Sequence, residues 1–149
     1  MDLFLTMQPG EQMHSLEVYR QVAARLQAQP VEGGEHLLVA ALLHDVGKAC
    51  HPLSLWERVV IVLGKAVTPS LVKAWGEFEG PASSKIPAWR RAFIVASQHA
   101  KWGAEMAAHT GVTPQAVQLI SRHQDHLPDE TAASEDRLLK ILQMVDDQL

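Results

Sequence analysis

Only one cysteine, Cys50, stands in 149 residues, which excludes an internal disulfide framework and any multi-cysteine zinc cluster. Basic residues are outnumbered, 13 against 17 acidic, and the net charge of −4 argues against a duplex-binding module, which needs a basic face. The longest apolar runs, residues 37–43 and 59–63, are far shorter than a membrane span. Met1-Asp2 opens acidic and residues 3–5 are too short an apolar stretch for a signal peptide, so a soluble, cytoplasmic protein is expected. Internal repeats, low-complexity tracts and the alternating pattern of strands are missing as well. What remains is 47% hydrophobic and 20% charged, enough for a real core and neither disordered nor collagen-like. A single domain over residues 1–149 is expected. Histidine is the unusual residue, with eight copies.

Alanine and leucine dominate, and the apolar spacing is helical almost throughout. The pattern predicts helices over residues 10–28, 34–47, 55–66, 70–75 and 88–110, each bounded by proline or glycine. Thr113-Pro114 opens another to about residue 124, and a last helix follows Pro128, capped by Ser134. Residues 37–43 are apolar on every side, which predicts a central, fully buried helix closed by Gly47. Residues 76–87, rich in Gly, Pro and Ser, form the expected mobile loop. The expected architecture is a compact all-α bundle of about six to seven helices.

Helical periodicity sorts the polar residues by face. His14 shares a ridge with Val18, Val22 and Leu26. His44 follows Leu37, Ala40 and Ala41, His99 aligns with Val95 and Trp102, and His123 with Ala116, Leu119 and Ile120. Asp146 aligns with Leu139 and Leu142 and points in; Asp147 points out. Asp45 follows His44 directly. Burying carboxylates in an apolar bundle costs several kcal/mol each unless they are compensated, and the inward faces offer few arginines. Divalent metal compensates them, and imidazole with carboxylate is a suitable ligand set. Six such groups can surround two ions about 3.5–4 Å apart.

The sequence His44-Asp45-Val46-Gly47-Lys48 resembles the motif of the HD-domain metal-dependent phosphohydrolases. The ordered series His14, His44-Asp45, His99, His123 and Asp146 is similar to that family's ligand series and covers most of the chain. The resemblance implies an all-helical fold. It implies that His14, His44, Asp45 and Asp146 hold one metal, that His99 and His123 hold a second, and that Asp45 bridges the two. Both extra histidines resemble the binuclear branch. After His123, however, the chain lacks the adjacent histidine and Gly-Tyr-Pro run of the cyclic-dinucleotide phosphodiesterases in that branch. Iron or manganese suits the mixed ligands best, with magnesium, nickel and zinc also compatible. The implied reaction is hydrolysis of a phosphoester or phosphoanhydride, in a small phosphorylated metabolite or nucleotide, by a metal-activated hydroxide. Asp45 and Lys48 are the expected catalytic residues, with Lys48, Arg90, Arg91 and Lys101 the candidates for holding phosphate. A nucleotide-sensing module without turnover and a di-iron oxygenase stay open as alternatives.

The other histidines have plainer readings. His109 suits a helix C-terminus, His36 an exposed helix start and His51 a loop. Asp125 and His126 lie just beyond His123 and are candidates for supporting it. Most of the four tryptophans are expected in the core, and residues 59–63 read as a buried helix face.

Overall fold

The computed structural model describes residues 3–127 and 134–149, without the side chains of Lys65, Ser134 and Glu135. Pro128 and the Ser134 cap therefore lie outside the described residues. A 3-10 turn, Leu3–Thr6, precedes α1 (Pro9–Ala28) and α2 (Gly34–Leu43). A second 3-10 turn, Val46–Cys50, leads to α3 (Leu55–Val67) and α4 (Pro69–Gly76). After an irregular stretch come α5 (Arg91–His109), α6 (Pro114–Arg122) and α7 (Ser134–Asp146). The fold is all-α, as expected, with no strand among the described residues. No helix there is long and apolar enough to cross a membrane.

Helix ends follow local chemistry. Ser54 Oγ accepts from Glu57 N while Glu57 Oε2 accepts from Ser54 N at 2.9 Å, a reciprocal cap on α3. Thr113 Oγ1 caps α6 ahead of Pro114. Gly111, at φ +82°, turns the chain out of α5, a backbone conformation in which a side chain is strained.

The main core joins Val18 and Val22 of α1, Leu37, Ala40 and Ala41 of α2, Ala104 and Ala107 of α5, and apolar residues of α6 and α7. A second cluster gathers Leu53, Ile94, Val95 and Trp102. Phe78, Ala82 and Ile86 pack on it, and the Ala82 carbonyl lies 2.6 Å from His51 Nε2. The expected mobile loop is thus seated on the protein, strapped by His51 at Ala82 and by Arg90 at Glu77.

Five expectations need correction. Helix α2 ends at Leu43, not Gly47, because the chain tightens into the 3-10 turn there. Gly47 serves close approach instead: a Cβ on it would collide with the His99 carbonyl and sit 2.6 Å from Gly103 N. Nor is α2 buried all round, since Val39 is exposed. Residues 59–63 are not a buried face: Val59, Val62 and Leu63 are exposed, and Trp56 and Trp89 with them. Of the four tryptophans only Trp102 is buried, and Trp75 rests half-buried against Phe93. Finally, α5 starts at Arg91, after a single turn closed by Arg90 N to the Pro87 carbonyl at 2.9 Å.

Candidate metal centre

Four of the six predicted ligands stand at or beside helix ends. His44 caps α2, Asp45 opens the following 3-10 turn, His123 caps α6 and Asp146 is the last residue of α7. His14 and His99 project from within α1 and α5. A helical pair at positions 44 and 45 would diverge by about 100°. Here α2 stops before the pair, and Asp45 adopts φ −97°, ψ 1°, so both side chains reach one centre. The Gly47–Gly103 contact seats this turn against α5, which places Asp45 beside His99.

The predicted ligands form two neighbouring triads. In the first, Asp146 Oδ1 lies 2.8 Å from His14 Nε2 and 3.3 Å from His44 Nε2. In the second, Asp45 Oδ1 lies 3.3 Å from His99 Nε2 and 4.0 Å from His123 Nε2. Within each triad the ligating atoms are within 4.8 Å of one another. The other oxygen of Asp45, Oδ2, faces back toward the first triad, 3.6 Å from His44 Nε2. His44, Asp45, His99 and His123 are buried, whereas His14 and Asp146 are half-exposed.

Backbone carbonyls set the tautomers. His44 Nδ1 donates to Ala41 O, His99 Nδ1 to Val95 O and His123 Nδ1 to Ile120 O, at 2.8 to 3.0 Å. A carbonyl only accepts, so each ring carries its proton on Nδ1 and turns an Nε2 lone pair to the centre. His44 Nε2 is fully buried and makes no hydrogen bond, because its carboxylate neighbours are near but misaligned. His99 and His123 bring their Nε2 atoms 3.2 Å apart. Two lone pairs at that distance leave both rings unsatisfied, and a cation coordinated by both satisfies them. On these grounds the residues fit divalent metal.

The charges agree. Burial opposes ionisation of Asp45, but His44, His99 and Lys48 outweigh it and hold the carboxyl well below the ordinary range. Burial also opposes a charge on His44, which Asp45 and Asp146 overcome, raising its pKa. His123 is pushed down to about 4 by burial and by His99 and His44, so it is a neutral donor at pH 7. Asp146 is depressed despite burial, chiefly through its hydrogen bond to His14 and the nearby His44 ring.

A cavity of about 460 Å³ opens over the cluster, lined by Asp45, Lys48, His99, His123 and Asp146, with Gln124, Asp125, His126, Lys140, Gln143 and Asp147 around them. Lys48 Nζ reaches Asp45 Oδ2 at 2.6 Å. Of the other predicted phosphate contacts, none lines this cavity. Arg90 donates to the carbonyls of Trp75 and Glu77, Arg91 pairs with Glu57, and Lys101 is exposed on α5. His126 and Asp125 sit at the rim, Asp125 paired with Arg122 at 3.1 Å. The outward-facing Asp147 is exposed yet also reaches the rim. His109 ends α5 as expected, but His36 is half-buried, its Nδ1 3.1 Å from Thr113 Oγ1. Sequence reasoning missed Gln143, whose Nε2 donates to His123 O at 2.9 Å and Asp125 O at 2.7 Å, pinning the turn that carries His123. Its place three residues before Asp146, on the same edge of α7, was the available signal.

The model of the HD domain matches residues 12–147, and the chain belongs to the HD-domain family. That membership places it in a superfamily of metal-dependent hydrolases. No curated protein and no solved structure matches the chain.

Proposed function

We propose that the protein is a divalent-metal-dependent phosphohydrolase that cleaves a phosphoester or phosphoanhydride in a nucleotide-like small molecule. The observation that carries this reading is the Asp45 carboxylate, set between two histidine-containing triads with one oxygen toward each. Two cations, one at His14, His44 and Asp146 and one at His99 and His123, with Asp45 shared, would supply Lewis acidity toward phosphoryl oxygens and a water of lowered pKa. Iron or manganese suits this ligand set best, with magnesium, nickel and zinc also compatible.

The chain's own groups have separable tasks. The carbonyl-bound Nδ1 protons of His44, His99 and His123 keep those rings aimed, with each Nε2 toward the centre. Lys48 uses one N–H on Asp45, and its two remaining donors, at the cavity wall, serve a phosphate oxygen or the leaving group. Arg90, Arg91 and Lys101 have no part in this version of the site, since other partners or solvent hold them. Gln143 acts through His123 and is a positioning residue.

The test combines metal content per chain, on protein purified without chelators, with a hydrolysis screen of phosphodiesters and dinucleotide polyphosphates. About two ions per chain and metal-dependent cleavage of a phosphodiester to monoester and alcohol, or of a dinucleotide polyphosphate to two nucleotides, are expected. Asp45→Asn should lower turnover by about 10³-fold or more and weaken both metal sites. Full metal and full activity in that variant would contradict the shared role of Asp45. Nucleotide bound but left intact would point to a sensor, and oxygen uptake with a non-phosphate substrate to an oxygenase.

A further inference from the structure

Helix α3 faces the wrong way for a helix of a lone globular chain. Its described charged side chains turn toward the body of the protein: Arg58 Nη2 lies 2.7 Å from Oε1 of the buried Glu11, and Glu57 Oε1 lies 2.7 Å from Arg91 Nη2. Gly64 faces Val72 and Phe93 on that same packed side, and Ile61 rests on the second core cluster. Leu55, Trp56, Val59, Val62, Leu63 and Val67 recur at one-, three- and four-residue steps along the opposite side. All six are exposed, from 37% for Val59 to 79% for Leu55.

Monomeric proteins rarely keep a contiguous apolar patch larger than a few hundred Å². These six side chains present on the order of 800 Å², close to what each partner contributes to a protein–protein interface of standard size. We infer that this face of α3 is where two copies of the chain pair, α3 lying antiparallel against α3 about a twofold axis. A twofold interface needs a patch complementary to itself, and a stripe of leucine, valine and tryptophan with no charge to match meets that need. A lipid surface is the poorer occupant. An interfacial helix carries free basic residues beside its apolar face, whereas among the described side chains of α3 the basic one, Arg58, is committed to Glu11, and the chain is net acidic. Val62 also lines a cleft that runs to Lys48, His99 and Gln124, so the partner copy comes to lie beside the candidate metal centre.

Sedimentation velocity of the full chain over about 1–100 µM, compared with Leu63→Glu and separately Val67→Lys, tests the inference. Both positions are exposed and outside the metal centre, so circular dichroism and metal content should be unchanged. The expected result is a wild-type dimer and two monomeric variants, with association weakened by about 100-fold or more because the twofold axis introduces each charge twice. If one variant misfolds, the other decides. A wild type that stays monomeric at the highest concentration overturns the inference. So does a dimer indifferent to both substitutions, and so does a monomer that floats with phosphatidylcholine–phosphatidylglycerol vesicles.

Discussion

Helices α5 and α3 both carry clear apolar stripes, and they point them in opposite directions. The stripe of α5 contains Ile94, Val95 and Trp102 and is buried, which drags His99 into the interior with it. There the imidazole meets a carbonyl, a carboxylate and another imidazole. The stripe of α3 faces solvent, while Glu57 and Arg58 turn inward to Arg91 and Glu11. The contrast shows what amphipathic periodicity conveys: that a helix forms and has two faces. Which face goes in depends on what the rest of the chain offers it. For α5 the offer is an apolar core and a set of converging helix ends; for α3 it is charge partners.

The sharpest way to break this contrast is at Gly47. Gly47→Ala forces the turn carrying Asp45 off α5, because the new methyl group has no space against His99 and Gly103. Destabilisation of about 3 kcal/mol or more, read from urea unfolding, is expected together with loss of metal from the Asp45, His99 and His123 group. A stable, fully metallated variant would mean the two elements can separate without harm to the site.

The two tryptophans make a direct comparison of the regions. Trp102 is 1% exposed and Trp56 72% exposed. Trp102→Ala should cost about 3–5 kcal/mol of stability, and Trp56→Ala, measured at concentrations where the chain is monomeric, no more than about 0.5 kcal/mol. Equal costs would show that α3 packs inward after all.

The smallest expected effect distinguishes the two triads by pH. His44 holds its proton more firmly than an ordinary imidazole, while His123 gives its proton up down to about pH 4. Ligands must be deprotonated to bind, so acid releases metal. As pH falls, the ion of the His14–His44–Asp146 group should leave first and that of the His99–His123 group later. Metal content after equilibrium dialysis at stepped pH should fall from two to one and then to none. Simultaneous release of both ions would show that the shared Asp45 couples the groups too tightly for either to empty alone.

The helices, most of their boundaries and the six candidate ligands were legible in the chain, because each signal is local. His14, His44, His99, His123 and Asp146 each continue an apolar ridge, so burying the ridge brings them in. The phosphate contacts were not legible in the same way. Arg90 and Arg91 look available in sequence, but their partners, the Trp75 and Glu77 carbonyls and Glu57, lie 13 to 34 residues away. The outward face of α3 was misread for the same reason, since its partner Glu11 lies 47 residues from Arg58.

By itself, then, the order of residues determined an all-helical chain, its family and the set of side chains that would be buried with lone pairs to offer. Those follow from the 3.6-residue period and from which residues interrupt it. Only the tertiary structure decided that α2 stops short of the His-Asp pair, that Asp45 divides its oxygens between two triads, and that α3 keeps its apolar face outside. Each of these depends on distant contacts: Gly47 against Gly103, Asp45 against His44 and His99, and Glu11 against Arg58. Such contacts exist only once the chain has folded back on itself.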